Sequence, residues 1–267
     1  MPRLVLAALV LLAALPALAA ERVVSLAPSL SEIMLELDAA DRLVGVLDGG
    51  ERPPALRALP SVGHYGKVEM ETLLSLRPDL VLLWPDSVPR SQREQLRQFG
   101  ILVLVSPTPS LASLAEQFRR IGAVVGRAEQ GERLAEAFEA GLAELRERHA
   151  RPRPLRVFYQ VWNRPLYTLG GRQIISEAIA VCGGRNLFDD LSLPAPQVSV
   201  EAVLARDPEV ILAGTGAQLD EWKAWPQLTA VRLGQLYEVP DKGLERPSFQ
   251  MLGAIGKLCE VMGQAAP

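Results

Sequence analysis

Aromatic side chains are scarce in this sequence: phenylalanine, tryptophan and tyrosine together make up 5% of its 267 residues. Histidine occurs twice, at His64 and His149. Two histidines cannot build a three-histidine metal site, which excludes a zinc- or manganese-binding function of that type and leaves the expectation of no metal. There is no G-x-S-x-G elbow, no G-x-x-x-x-G-K loop and no H-E-x-x-H helix, so the common nucleophile, phosphate and metalloprotease signatures are missing. No pair of acids is marked out as a dyad, and the expectation is a protein that is not an enzyme. Charge of neither sign dominates. With 28 basic and 31 acidic residues the net charge is −3, and the dispersed Lys and Arg offer no basic face for nucleic acid.

Long hydrophobic runs are also absent beyond the start of the chain, where no stretch reaches the roughly 20 residues of a membrane helix. The start itself is different. Arg3 is followed by an apolar run from Leu4 to Leu15, and Ala17 and Ala19 occupy the small-residue positions of a cleavage site. This reads as a secretory signal over 1–20 that is removed on export. No Cys stands at the cleavage point to carry a lipid, so the expected product is a soluble protein of a Gram-negative periplasm. Cysteine is limited to Cys182 and Cys259. An even count in an oxidising compartment points to one disulfide, worth roughly 4 kcal/mol for a long loop, with two buried thiols as the alternative.

What is present is an alternation of short apolar strands with helical patterns. Strands are expected at 22–26, 42–47, 80–84 and 101–105, separated by helices over 90–99 and 111–125. Ser29 or Ser31 is the expected cap of a first helix carrying Ile33, Met34 and Leu37. From 128 to 149 a helix is written by Leu134, Phe138, Leu142 and Leu145, with Glu and Arg on the other face. It would reach about 33 Å, enough to join two lobes. The pattern then resumes with strands at 155–160 and 210–213, a helix over 174–182 and a last helix over 248–262. Strands alternating with helices imply α/β lobes with mostly parallel sheets of the Rossmann-like kind. The expected division is an N-terminal lobe over 21–126, a rigid linker helix over 127–152 and a C-terminal lobe over 153–267, with a ligand cleft between the lobes.

One internal echo supports two related halves. The segment Glu71-Thr72-Leu73-Leu74-Ser75-Leu76-Arg77-Pro78-Asp79-Leu80 resembles Glu201-Ala202-Val203-Leu204-Ala205-Arg206-Asp207-Pro208-Glu209-Val210 at a single offset of 130 residues. Each copy reads as a short helix, a proline turn and an apolar strand. Glu71 and Glu201 each open such a helix, where a carboxylate offsets the dipole. The functional reading of the same pair is one exposed acid per lobe that meets basic residues of a partner.

The few aromatics gain information from their placement. Trp84 ends a buried strand before Pro85, Tyr65 lies in the loop His64-Tyr65-Gly66, and Trp162 and Tyr167 flank the turn Asn163-Arg164-Pro165. Ligands of doubly wound sheets sit beyond the carboxyl ends of the strands, where such side chains can stack on a flat, partly apolar molecule. Each has a competing role as a cap on its lobe's core, and Trp222 and Trp225 are expected in that role. Arg246, in Leu244-Glu245-Arg246-Pro247, suits ligand carbonyls or carboxylates, or else a structural pair with a nearby acid.

Val23-Val24-Ser25-Leu26-Ala27-Pro28-Ser29 with Glu32, Leu76-Arg77-Pro78-Asp79-Leu80-Val81, and Val181-Cys182-Gly183-Gly184-Arg185-Asn186-Leu187-Phe188 resemble the cobalamin and siderophore group of periplasmic binding proteins. Pro196-Gln197-Val198-Ser199-Val200-Glu201 and the late Cys259 are similar to its vitamin-binding branch, which serves the cobalamin ABC importer. The resemblance spans essentially the whole chain after the leader. It implies two lobes on a rigid helix with little hinge closure, a Cys182–Cys259 disulfide, and docking of Glu71 and Glu201 onto arginines of the permease. It also implies ligand contacts by Tyr65, Trp84 and Tyr167, with Arg246 in the matching late loop. Ala195, Gly243 and Arg52 depart from aromatic positions of that group.

The function this implies is capture of cobalamin or a related corrinoid, with no cofactor, and its delivery by a monomer to a permease and ATPase complex in the inner membrane. A ferric siderophore is the sibling reading, kept open by Arg52, Arg164, Arg172 and Arg246. Haem is another, for which His64 or Tyr65 is the available axial ligand. An exported enzyme on the same scaffold is the reading from a different class.

Overall fold

Apolar runs too short for helices become central strands buried on both faces, as Val23–Ser25, Leu80–Leu83 and Val210–Ala213 do throughout their length. The computed structural model describes residues 19–85 and 87–266, so the signal segment expected over 1–20 lies almost wholly outside the described residues.

The first sheet is built from β1 (Val23–Ser25), β2 (Leu43–Asp48), β3 (Ser61–His64), β4 (Lys67–Val68), β5 (Leu80–Leu83) and β6 (Leu102–Val105), in the order β4-β3-β2-β1-β5-β6. All neighbours run parallel except β3 and β4, which form a hairpin. The second sheet holds β7 (Leu155–Asn163), β8 (Leu166–Thr168), β9 (Gly184–Asn186), β10 (Val210–Ala213) and β11 (Leu236–Glu238). Its order is β11-β10-β7-β8, with β9 pairing the first half of β7 in parallel and β8 pairing the second half antiparallel. The expected α/β architecture with two mostly parallel sheets is the one observed.

Helices α1 (Pro28–Glu36), α2 (Met70–Ser75), α3 (Arg90–Gln98) and α4 (Leu111–Val124) accompany the first sheet. Between the sheets runs α5 (Ala128–Arg148), 21 residues and about 32 Å long. The second sheet carries α6 (Ile174–Val181), α7 (Val200–Arg206), α8 (Gly216–Trp222), α9 (Thr229–Arg232) and α10 (Met251–Gly263). α5 does not stand free between the lobes. It lies so close along α4 that a Cβ on Gly131 would fall 2.5 Å from the carbonyl oxygen of Phe118. Phe118 of α4 and Phe138 of α5 meet edge to face at 5.6 Å, and Phe249, just before α10, completes the cluster at 6.1 and 6.3 Å. One continuous core thus runs from β1 and β5 through these helices to β7 and β10. Movement of one lobe against the other would have to break that packing.

Two expected helix ends are corrected. Neither Ser29 nor Ser31 caps α1: the helix starts at Pro28, whose missing N–H costs nothing in a first turn. The Ser31 hydroxyl instead bonds Ser25 Oγ at 2.9 Å. The last helix begins at Met251 rather than Ser248, and the amides just before it, of Phe249 and Gln250, donate to the Glu36 carboxylate of α1 at 2.9 and 3.2 Å. The disulfide is present. Cys182, at the end of α6, joins Cys259 on α10 with an S–S distance of 2.02 Å, and both residues are buried.

Candidate functional site

The strand order β3-β2-β1-β5-β6 places a topological switch between β1 and β5, where successive connections leave in opposite directions and a crevice opens beyond the carboxyl ends. The residues that follow those ends line the crevice. Ala27 to Ser29 follow β1, Gly49 to Glu51 follow β2, Tyr65 follows β3 and Trp84 follows β5. From the second lobe the segment Lys242–Glu245 with Arg246 closes the space, giving a cavity of about 580 Å³. A second cavity of about 290 Å³ lies on another side of Trp84. Ser106 to Pro109, after β6, face Arg172 to Ile174 and Pro194 across it.

Each of these side chains is placed by local structure. Tyr65 stands at the tip of the β3–β4 hairpin and is 71% exposed, with Gly66 taking the left-handed turn at φ 83°. Trp84 is half-buried. Its carbonyl accepts from Ser87 and pins the loop, and its indole nitrogen is buried without a partner. The Ser29 hydroxyl in the first cavity and the Ser106 hydroxyl in the second are likewise buried and unpaired.

Arg246 combines both roles offered by the sequence. It lines the larger cavity, and it pairs with Glu32 of α1 at 2.7 Å. Glu32 and Glu36 lie one turn apart on α1 and together hold the approach to α10: Ser248 and Gln250 side chains bond Glu32, while backbone amides bond Glu36. Burial pushes the Glu36 carboxyl up to about 7. It raises Glu32 too, against the opposing pull of Arg246.

Of the residues singled out in the sequence, Tyr65, Trp84 and Arg246 are brought together around one cavity. Trp162 and Tyr167 are not among its lining residues, nor among those of the smaller cavity. They face each other across the β7–β8 hairpin, with Trp162 58% exposed. The hairpin turn is tied elsewhere, since Asn163 and Arg164 both reach Glu221 at 3.3 Å. Trp222 is a core residue as expected, packed on Phe158 at 5.4 Å with its indole nitrogen donating to Gln160. Arg52 is spent on Asp48 and on the carbonyl of Leu59. Arg52 still lines a small pocket together with Arg246 beside the larger cavity, whereas Arg172 is at the smaller cavity and Arg164 at the hairpin turn. His64 is exposed beside Tyr65. Among the described residues no group of three or more His, Cys, Asp or Glu is placed to hold a metal ion.

Glu71 and Glu201 are exposed and sit in the first turns of α2 and α7. Both helices feed parallel strands, β5 and β10, so both begin on the side of the molecule where the strands end. Ser199 caps α7, and hydrogen bonds from the Glu201 amide and Ser199 hold the Glu201 carboxyl below the usual range. The sequence did not reveal Ser106, Lys242 or Glu245 as cavity residues, because nothing in their local pattern marks a loop as facing the other lobe.

The family model described as periplasmic binding protein matches residues 23–242. The vitamin B12-binding protein of Vibrio cholerae serotype O1 is 34% identical over 243 residues, 90% of this chain and 88% of that protein. That of Yersinia pseudotuberculosis is 34% identical over 265 residues, 98% of this chain and 93% of the relative. Among solved structures, the periplasmic vitamin B12-binding protein of Vibrio cholerae superposes with a TM-score of 0.82 at 34% identity, covering 91% of this chain and 97% of that one. The periplasmic heme-binding protein RhuT from Roseiflexus sp. RS-1 gives 0.78 at 25% identity, covering 91% and 98%.

Proposed function

The chain belongs to the periplasmic binding protein family, and on that premise we propose that it captures cobalamin or a related corrinoid in the periplasm and hands it to an ABC importer. The observation that carries the proposal is the cavity of about 580 Å³ at the switch point, where the aromatics Tyr65 and Trp84 stand opposite Arg246. It falls within the range of roughly 300–1,000 Å³ typical of small-molecule sites. Stacking and apolar contact on the macrocycle would come from Tyr65, Trp84 and the β1–α1 turn. Hydrogen bonds to its fringe of carboxamides would come from Arg246. Trp162 and Tyr167 would contribute only if the ligand extends past the cavity to the β7–β8 hairpin. No bond is made or broken, and no cofactor takes part.

On this reading the protein is an exported monomer of a Gram-negative periplasm, released from its signal segment over 1–20. Glu71 and Glu201 dock one lobe each onto basic residues of the permease in a permease and ATPase complex. The shared core through α4, α5 and α10 favours a cleft that is largely preformed, with little closure on binding.

Haem is the second reading, favoured by His64 and the exposed Tyr65 side by side at the rim. Calorimetric titration of the exported protein with cyanocobalamin, haem and a ferric siderophore tests all three. Saturable one-to-one binding of the corrinoid alone is expected. Haem or siderophore binding without corrinoid heat would keep the transport role and overturn the ligand.

A further inference from the structure

The two cavities beside Trp84 differ in charge. The larger is lined by the acids Asp48, Glu51 and Glu245 against Lys242 and Arg246. Most of these charges are already paired, Arg246 with Glu32 at 2.7 Å, Asp48 with Arg52 and Glu51 with Arg57, which leaves Glu245 against Lys242. The smaller cavity has one charged side chain among its described lining residues, Arg172, and no acid. Arg172 is exposed and has no ion-pair partner among the described residues within 4.0 Å. Four prolines, Pro85, Pro107, Pro109 and Pro194, make up much of the wall. Proline offers no N–H and a fixed φ, so this wall is rigid and poor in competing backbone donors.

We propose that the smaller cavity is a phosphate subsite, which seats the phosphodiester of the ligand's nucleotide arm on Arg172 while the corrin ring lies across Trp84 in the larger cavity. The proposal rests on the corrinoid reading given above and adds an orientation to it. A guanidinium is the side chain best matched to phosphate, because its planar fork donates to two oxygens at once. An anion entering the larger cavity would meet Glu245 as well as Lys242, with no unopposed cation. An anion entering the smaller one meets Arg172 and no acid. The N–H groups of the ring's carboxamides have the opposite preference and suit the acid-lined side. The charge difference across Trp84 thus sets which way round the ligand lies, and it makes the phosphate-bearing arm a determinant of specificity.

The test is calorimetric titration of the exported protein with cobalamin, cobinamide phosphate and cobinamide, which lacks the phosphate, ribose and base. In the wild-type protein both phosphate-bearing corrinoids are expected to bind more tightly than cobinamide. Arg172→Gln is expected to lower the ratio of cobalamin to cobinamide affinity about tenfold, as loss of a charge-assisted hydrogen bond would. Arg172→Lys, which keeps the charge and loses the fork, should recover part of that ratio. Arg172 is exposed on a loop, so neither change threatens the fold. An unaltered ratio in Arg172→Gln, with corrinoid binding retained, would overturn the subsite and leave the corrinoid reading standing. No heat from any of the three corrinoids would overturn that reading and the subsite with it.

Discussion

Asp79 and Glu209, 130 residues apart, fasten the two sheets in the same way. Asp79 accepts the backbone N–H groups of Glu21 and Arg22 at 2.8 and 3.0 Å, at the start of β1. Glu209 accepts the backbone N–H of Arg156 at 2.9 Å, at the start of β7. The arginine at the start of each strand reaches the end of the helix that feeds the neighbouring strand, Arg22 to the carbonyl of Leu76 after α2 and Arg156 to that of Asp207 after α7. Even the backbone repeats: Arg77 and Asp207, at equivalent places, take left-handed φ values of 47° and 45°. The echo seen in the sequence is therefore a structural unit, used once per lobe.

The two acids differ in burial, and this predicts unequal costs. Glu209 is 5% exposed and is held by Arg153 as well, whereas Asp79 is exposed. Glu209→Ala strands a buried amide and should cost about 2–3 kcal/mol, while Asp79→Ala, whose amides are open to water, should cost about 1 kcal/mol. Urea unfolding of both variants measures the difference, and equal costs would show that burial does not set the strength of this fastening.

Stability should fall as pH rises through the range in which Glu36 ionises. Its carboxyl titrates at about 7 in the folded protein against a reference of 4.5. The folded state therefore binds the proton more strongly, and the contribution is full below about pH 4.5 and lost progressively up to about pH 7. The loss amounts to at most about 3 kcal/mol. Glu32 shifts in the same direction, while Arg246, Ser248 and the amides of Phe249 and Gln250 face the pair and oppose it. Glu36→Gln should flatten the decline when unfolding is followed at pH 5, 6, 7 and 8. A slope that persists in this variant would assign it to other groups.

Trp84→Ala should weaken corrinoid binding about 10- to 100-fold, the range for a central aromatic contact. Trp162→Ala should cost less, because Trp162 is on the β7–β8 hairpin and not at either cavity. Titration of both variants, each checked for a native melting curve, decides the order. A larger loss in Trp162→Ala would move the ligand towards the hairpin.

Replacing both Glu71 and Glu201 with Ala should abolish uptake and leave ligand affinity within about twofold, since exposed rim charges govern docking. Each single change should lower uptake by less. Uptake of labelled cobalamin by cells, set beside titration of the purified variants, separates the two effects. Lost ligand affinity with the fold intact would place these acids in the cleft instead.

Much of the frame was legible along the chain. The fully buried strands β1, β5 and β10 are apolar runs bounded by proline turns, and α5 repeats its apolar residues at helical spacing, so local pattern and final structure agree. Cys182 and Cys259 had only each other to pair with. Tyr65, Trp84 and Arg246 were visible as site candidates because each is an unusual side chain directly after a strand or in a late loop.

Other features had no local signature. Glu32 and Glu36 read as ordinary polar positions of a first helix. Only the tertiary structure brings the approach to α10 against them, more than 200 residues later, and makes them its acceptors. Ser106 and Arg172 face one cavity because two separately wound sheets are held across a cleft by a shared core. Trp162 and Tyr167 satisfied the same pattern as Trp84, yet strand register turned them to a hairpin face. The sequence by itself determined strands, helices and the internal repeat, since these follow from periodicity and composition within short stretches, and its two cysteines pointed to one disulfide. Which side chains share the cleft was decided by packing between lobes, a long-range property that no local pattern encodes.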